Sequence, residues 1–376
     1  MFPLLRGTAA KGTATCLRSI HIRNASSQAA SKGRVVFSGI QPTGVPHLGN
    51  YLGALRQWRK LQDEAAPEDT LLYSIVDLHA ITIRQDPAQL KRWKKEMLAT
   101  MLAIGLDPHR SIIFYQSSVP AHSELMWILS CSASMGYLSR MTQWKSKMSL
   151  PDDASPLDTS SKAALKLGLF SYPVLQGADI LVHSATHVPV GHDQSQHLEF
   201  ARELSNGFNH IYGPILSQPT TILSPAKRIM SLKEPTLKMS KSHADPKSRI
   251  LLTDSRDEIS KKIKTALTDS ITGVSYDPET RPGVSNLVEI VYHLNDGAAP
   301  SCEAIAKDCQ DLSIKAFKEM VADCIDAKLS GIRERYYEIL NEEGGSGLRR
   351  VADMGGMNAA ASAEATMEKV RDAVGL

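Results

Sequence analysis

Five short runs rich in β-branched and aromatic residues alternate with helical patterns, and this alternation constrains the fold of the 376-residue chain more than any other feature. The runs cover residues 34–40, 70–77, 111–116, 185–190 and 220–223. Between the first two, residues 50–62 read as helix. Residues 86–105 read more clearly so. Asp86 stands as N-cap, Pro87 takes the first helical position, and Leu90, Trp93, Met97, Met101 and Ile104 recur at three- and four-residue steps before Gly105. Strands that alternate with helices pair in parallel through crossovers, which predicts an α/β fold with a doubly wound parallel sheet. From about Ser255 the strand signals vanish, and the remainder reads as helix, including the charged stretch 313–341 and the Ala-rich stretch 359–374. A boundary is therefore expected near residue 246, with an α/β domain over 34–245 and a C-terminal α-helical domain over 246–376.

The chain carries 43 Lys and Arg against 40 Asp and Glu, a net charge of +3, and this excess sits at the front. Residues 1–34 hold Arg6, Lys11, Arg18, Arg23, Lys32 and Arg34, whereas the first acid in the chain is Asp63. Seven Ser and Thr residues are interspersed among them. An Arg-rich, hydroxyl-rich, acid-free start predicts an organellar transit peptide over residues 1–33. A basic tail without targeting function is the plainer alternative. Without those six cations the balance is 37 against 40, so global charge gives no argument for nucleic acid. A composition of 42% hydrophobic and 22% charged residues excludes a disordered or collagen-like chain. No stretch approaches the roughly 20 apolar residues of a membrane span, so no membrane partner is expected. Cys16, Cys131, Cys302, Cys309 and Cys324 form no CxxC pair and read as buried thiols, not as a disulfide framework or metal site.

Two segments carry chemistry. After the first strand comes SGIQPTGVPHLGNYLGAL (residues 38–55), a turn crowded with Gly and Pro that opens a helix at Gly49 and Asn50. Such a turn admits close approach of backbone to a ligand, and unpaired N–H groups at the helix start suit a phosphate. Many loops of this composition merely turn the chain, and neither a Walker loop nor GxGxxG is present. The second segment is Lys238-Met239-Ser240-Lys241-Ser242, in the loop between the last strand and the helical region. Two lysines three apart fit a solvated surface run, or a clamp that neutralises charge building on a departing pyrophosphate.

Together the two segments resemble class I aminoacyl-tRNA synthetases. Pro46-His47-Leu48-Gly49-Asn50 is similar to that class's HIGH element, and residues 238–242 match KMSKS letter for letter. Further blocks at 37–55, 75–82, 140–147, 171–182, 187–196 and 228–242 are similar to the tryptophan-specific enzymes of bacterial and mitochondrial type. The resemblance implies a Rossmann-like catalytic domain, a tRNA-binding helical domain, a mitochondrial presequence and a place in the mitochondrial matrix. The implied reaction activates L-tryptophan with ATP and Mg2+ to tryptophanyl-adenylate, which then charges tRNA. A homodimer is implied as well.

The resemblance also implies roles. Asp179 would accept the indole N–H, and its apolar flanks Ala178 and Ile180 favour burial. Phe37, Val188 and Val190 would wall the ring beside His79, while Tyr172, Gln176, Gln143 and Gln194 would hold the amino acid. ATP would meet Gln41, Pro42, Thr43, Gly49, Asn50, Gly191, His192, Asp193, Ile229 and Lys238, Met239, Ser240, Lys241, Ser242. His47, Asn50, Lys147, Lys238 and Lys241 would serve catalysis, His47 as a donor and not a base, with Lys145 able to stand in for Lys147. Two positions depart from the bacterial pattern. His192 replaces a usual acid, and Gln176 gives a YxxLQxxD pattern shared with tyrosine-specific enzymes. Phe37 speaks against tyrosine, because those enzymes commonly place a hydroxylated residue there. Candidate tRNA contacts are Lys261, Lys262, Lys264, Arg333, Arg335, Arg349 and Arg350, each mixed with acids such as Glu334, Glu338, Glu342 and Glu343. The competing readings are a noncatalytic binding module and another α/β adenylyltransferase.

Overall fold

The computed structural model describes residues 33–376 apart from 149, 152–153, 157, 159–164, 192–194, 224–228, 242, 296–297 and 343–344, with backbone alone at 190 and 223. The expected transit peptide therefore lies outside the described residues, save Gly33. So do His192, Asp193, Gln194, Ser242 and the Val190 side chain. Residues 33–376 form one compact unit.

Five strands, β1 (Val35–Ile40), β2 (Thr70–Ile75), β3 (Ile112–Tyr115), β4 (His187–Val190) and β5 (Thr220–Leu223), pair in parallel in the order β3-β2-β1-β4-β5. Each lies within two residues of its sequence-predicted run. The order reverses beside β1, which places a crevice at the carboxyl ends of β1 and β4. Successive side chains on a strand point to opposite faces. Accordingly Val36, Leu71, Tyr73, Ile75 and Ile113 join one core, while Phe37, Leu72 and Phe114 join the other.

The first core is covered by α1, which runs through Leu48–Asn50, a π-helical stretch Tyr51–Leu55 and Arg56–Asp63, and, beyond the short α2 (Asp77–Ala80), by α3 (Pro87–Ala103). Asp86 caps α3 as predicted, accepting from Gln89 N at 2.8 Å. The second core is covered by α4 (Ala121–Ser130), α5 (Met135–Arg140), α6 (Thr142–Lys147), α7 (Leu167–Leu181) and α8 (Ser195–Tyr212).

After residue 245 every described regular element is a helix: a single 3-10 turn, then α9 (Arg256–Lys264), α10 (Pro282–Leu294), α11 (Cys302–Asp308), α12 (Ile314–Asn341) and α13 (Ser346–Val374). Helices α9 to α12 extend the first core, with Ile259, Val284, Ile305 and Phe317 buried in it. Helix α13 instead returns to the second core, burying Ala359, Ala363, Met367 and Val370 against the strand-edge side. It begins thirteen residues before the Ala-rich stretch. Its backbone approaches β3 so closely that a Cβ on Gly355 would lie 1.8 Å from the Ile113 carbonyl oxygen.

Two readings need correction. The first is the six-cation subtraction, which counts Arg34 with the leader although Arg34 belongs to the folded body, as the 34–245 boundary predicts. The Arg34 backbone N–H donates to Asp69 Oδ1 at 2.7 Å, and its guanidinium donates to Oδ2 through Nε and Nη2 at 3.0 and 2.6 Å. Removal of residues 1–33 thus takes five cations, and the remainder carries 38 against 40. Of the four described cysteines only Cys309 is buried; Cys131 is exposed, because it ends α4 on the solvent side.

Candidate active site

A cavity of about 350 Å³ opens at the carboxyl ends of β1 and β4, as the strand order demands. It is lined by eleven of the sequence-predicted residues: Phe37, Gln41, Asn50, His79, Gln143, Lys147, Tyr172, Gln176, Asp179, Val188 and Gly191. Trp58, Val76 and Pro189 complete parts of the wall that motif reading left out. Lys147 lines the cavity, whereas the Lys145 ammonium lies 5.6 Å over the Trp144 ring and is not part of the lining.

At one end the turn before α1 is closed by His47. Its Nδ1 accepts from Asn50 N at 3.2 Å, and its own backbone N–H donates to Asn50 Oδ1 at 3.1 Å, a reciprocal cap. Accepting at Nδ1 leaves the proton of the neutral ring on Nε2. Burial, with Lys241, Lys238 and Arg249 nearby, pulls this imidazole down to about 3, so the ring is neutral at physiological pH. The expectation of unpaired N–H groups here is corrected in two places. Leu48 N donates to Ile250 O at 2.8 Å, and Asn50 N is taken by His47. The cap that orders the turn uses amides that sequence reading had assigned to a ligand.

The lysine loop is held against this turn. Met239 N donates to Ile229 O at 2.9 Å and Ser231 N to Leu237 O at 2.8 Å, so residues 229–231 and 237–239 pair antiparallel. Ile229 and Met239 are both buried in the first core. Asn286 on α10 fastens the pair, accepting from Met230 N at 3.0 Å and donating to Met230 O at 3.1 Å. Lys241 Nζ donates to the Gly44 carbonyl at 2.6 Å. Gly44 sits at φ +93, a conformation in which a side chain would be strained. Burial first, then Arg249, lowers the Lys241 ammonium to about 8, opposed by Glu96. Lys238 and Ser240 stand in the same loop, and Pro42 and Thr43 in the turn facing it.

At the other end stands Asp179 on α7, 1% exposed. Its Oδ2 accepts from His79 Nε2 at 2.7 Å, while Oδ1 accepts from Gln116 Nε2 at 2.6 Å and His122 Nδ1 at 2.7 Å. Desolvation opposes the charge, but His79 and His122 outweigh it together and hold the carboxyl well below its ordinary range. A carboxylate offers about four acceptor directions, so three bonds leave one for a ligand. Phe37 stacks on His183 with centroids 5.7 Å apart, which fixes one wall. Beside them Tyr172 donates its hydroxyl to Gln143 Oε1 at 3.0 Å and meets His197 Nε2 at 3.0 Å. The Lys147 ammonium lies 4.3 Å over the Tyr172 ring, and burial lowers its pKa. A cation on an aromatic face beside a carboxylate with one acceptor direction left suits a zwitterion carrying an apolar ring with one N–H.

Sequence reading missed Gln116, His122, His183 and Asn286, none of which lies in a motif. It also offered Lys262 and Arg333 as RNA contacts. Lys262 is paired with Asp254 at 2.5 Å, and Arg333 with Asp326 at 2.9 Å and the Asp254 carbonyl at 2.7 Å, so both serve the fold. Among the described residues no group of three or more His, Cys, Asp or Glu converges as a metal site, and no helix is long and apolar enough to cross a membrane.

The family model for tRNA synthetases class I (W and Y) matches residues 31–330. The chain is 46% identical over 348 residues to the mitochondrial tryptophan–tRNA ligase of Schizosaccharomyces pombe, covering 91% of this chain and 95% of that one. To the mitochondrial tryptophan–tRNA ligase of Saccharomyces cerevisiae it is 45% identical over 323 residues, with 84% of each covered. Among solved structures, the tryptophanyl-tRNA synthetase of Mycoplasma pneumoniae superposes with a TM-score of 0.79 at 31% identity, covering 92% of this chain and 98% of that one. That of Campylobacter jejuni, complexed with ADP and tryptophan, superposes with a TM-score of 0.73 at 31% identity, covering 91% and all of the two chains.

Proposed function

The chain belongs to the class I tRNA synthetases for tryptophan and tyrosine, and from that premise we propose how its residues divide the work. Its activity is the ATP-dependent attachment of tryptophan to its tRNA in mitochondria. The matrix is the compartment we assign, reached through residues 1–33 as transit peptide, with residues 34–245 as catalytic domain and 246–376 as tRNA-binding domain.

The observation that carries the division is one crevice lined at one end by the buried Asp179 carboxylate and at the other by Gln41 and Asn50. His47 and Lys241 stand behind that lining, His47 capping Asn50 and Lys241 held on the Gly44 carbonyl of the same turn. Asp179 accepts the indole N–H on its remaining acceptor direction, between Phe37 and Val188 and beside His79. A ligand without that donor leaves a buried charge under-satisfied, which is the basis of discrimination. Tyr172, Gln143, Gln176 and Gln194 hold the ammonium and carboxylate. Gln41, Pro42, Thr43, Gly49, Asn50, Gly191, His192 and Asp193 receive ATP, with Ile229 and Met239 beside the base and Ser240 and Ser242 in the lysine loop.

The tryptophan carboxylate attacks the α-phosphorus in line, the bond to the bridging oxygen breaks, and pyrophosphate leaves toward Lys238, Lys241 and Lys147. The neutral His47 ring donates from Nε2. No side chain need act as nucleophile, because positioning and charge stabilisation suffice. A hydroxyl of the terminal ribose of tRNA then attacks the activated carbonyl and gives up its proton, the mixed-anhydride bond breaks, and AMP leaves as the ester forms. The described residues do not form a cage for Mg2+, which we take to arrive on the ATP phosphates. Lys261, Lys264, Arg335, Arg349 and Arg350 remain as the cations assigned to tRNA.

The enzyme is assigned as a homodimer, as its family resemblance implies. Trp127 and Met135, exposed at 72% and 66% near the turn between α4 and α5, are the apolar side chains we assign to its interface. The deciding experiment for the whole reading is ATP–pyrophosphate exchange with tryptophan, with tyrosine and with neither. Exchange that requires tryptophan supports it; exchange with tyrosine, or none at all, overturns it.

A further inference from the structure

Behind Asp179 a line of buried polar groups runs away from the cavity and ends on the last helix. His122 Nδ1 meets Asp179 Oδ1 at 2.7 Å, His122 Nε2 meets His183 Nε2 at 3.3 Å, and His183 Nδ1 meets Ser362 Oγ at 3.2 Å. Both imidazoles are buried, at 0% and 3% exposure. The carboxylate can only accept, so His122 Nδ1 carries a proton. Burial and the neighbouring His122 keep His183 uncharged, so one of its nitrogens donates and the other accepts. With His122 neutral, its Nε2 accepts from His183 Nε2–H and His183 Nδ1 accepts from the Ser362 hydroxyl; with His122 doubly protonated, both of these bonds reverse and Ser362 accepts.

A second contact holds the same corner. Ser184 Oγ lies 3.0 Å from Thr366 Oγ1, one helical turn beyond Ser362. Among the described residues Ser184 alone adopts a positive φ without being glycine, at +50. A strained corner directly after α7, tied twice to α13, sets where the end of the Asp179 helix sits. Phe37 and Phe114 pack on His183 at 5.7 and 5.6 Å, so this ring is both polar link and cavity wall support.

We propose that His122 and His183 are positioning residues for amino-acid selection, joined to Ser362 in a hydrogen-bond line through which helix α13 orients the Asp179 carboxylate. The inference rests on the reading that Asp179 accepts the indole N–H. Neither histidine lines the cavity. They act by filling one acceptor direction of Asp179 and fixing its rotation, so that the direction left open faces the ligand. The C-terminal helix, far from the motifs in sequence, thereby enters the selection of the amino acid.

The test is ATP–pyrophosphate exchange by the full chain, measured as separate tryptophan and ATP KM values, with thermal midpoints recorded alongside. His122→Ala raises the tryptophan KM about tenfold with ATP KM unchanged, as loss of one buried charge-assisted bond implies. Ser362→Ala, a small change at the far end, raises it about threefold by the same relation, and Ser362→Thr restores it. His122→Asn, whose amide can still donate to Asp179, falls between the wild type and His122→Ala. A tryptophan KM unmoved in His122→Ala and Ser362→Ala, while Asp179→Asn raises it, overturns the line and leaves the Asp179 reading standing. If Asp179→Asn leaves it unmoved too, the underlying reading fails and the inference with it. A parallel rise in ATP KM, or a Ser362→Thr variant no better than Ser362→Ala, reduces the histidines to general packing and overturns the proposal.

Discussion

Lys241 and His47 stand a few residues from each other in space, yet burial drives both toward their neutral forms by different amounts. The imidazole at about 3 is uncharged throughout the useful range, whereas the ammonium at about 8 changes state near it. Lys241 carries its charge below that value and loses it as pH rises through it. We therefore expect kcat/KM for ATP to fall above pH about 8 with no contribution from His47 between 5 and 8, read from the pH profile of pyrophosphate exchange. Lys241→Ala should lower the adenylation rate about 100-fold, the scale of losing one preorganised charge-stabilising donor, while tryptophan affinity stays within about twofold. The same variant should flatten the alkaline limb. A variant that changes only the tryptophan KM would contradict the assignment.

Elements meet at distances that override local preference. Replacing a mid-helix glycine by alanine ordinarily stabilises a helix by about 1 kcal/mol. At Gly355 the sign reverses, because the added Cβ would lie 1.8 Å from the Ile113 carbonyl oxygen and 2.7 Å from its carbon. Helix α13 must then move off the edge strand β3, at a cost of about 3 kcal/mol. Gly355→Ala should lower the thermal midpoint by several degrees. An unchanged or raised midpoint would show that the helix is not seated there. The Ala-rich stretch 359–374 marks only the later part of α13, which starts at Ser346. Gly355 and Gly356 look like breaks in a helical pattern; Ile113 of the nearby strand gives the first its reason and Ser118, just after that strand, the second.

Across the whole molecule, the N-terminal segment sets the sign of the net charge. The net charge falls from +3 to −2 once residues 1–33 are removed, because Arg34 stays with Asp69. A chain starting at Gly33 should catalyse exchange at the full-length rate but fail to enter isolated mitochondria. N-terminal sequencing of the organellar protein should then begin near residue 34, and a mature protein starting at Met1 would contradict this. On the proposed homodimer with Trp127 in its interface, Trp127→Glu should shift the sedimenting species from dimer to monomer, because the added charge would be buried without a partner. Retention of the dimer would move the interface elsewhere.

Much was legible in the sequence alone. All five strands, the α3 cap and the burial of Asp179 were readable, because each depends on residues within a few positions of one another. Local periodicity reports which face is apolar, and a motif reports its own loop. What only the tertiary structure decided is the set of bonds made between distant elements: His122 to Asp179 across 57 positions, Asn286 to Met230 across 56, Ser362 to His183 across 179. It also decided that the helix-start amides are shared with His47 and that Lys147, not Lys145, lines the cavity. These outcomes turn on a rotation or an approach of about an ångström, and no pattern along a single segment encodes where the other segment will lie.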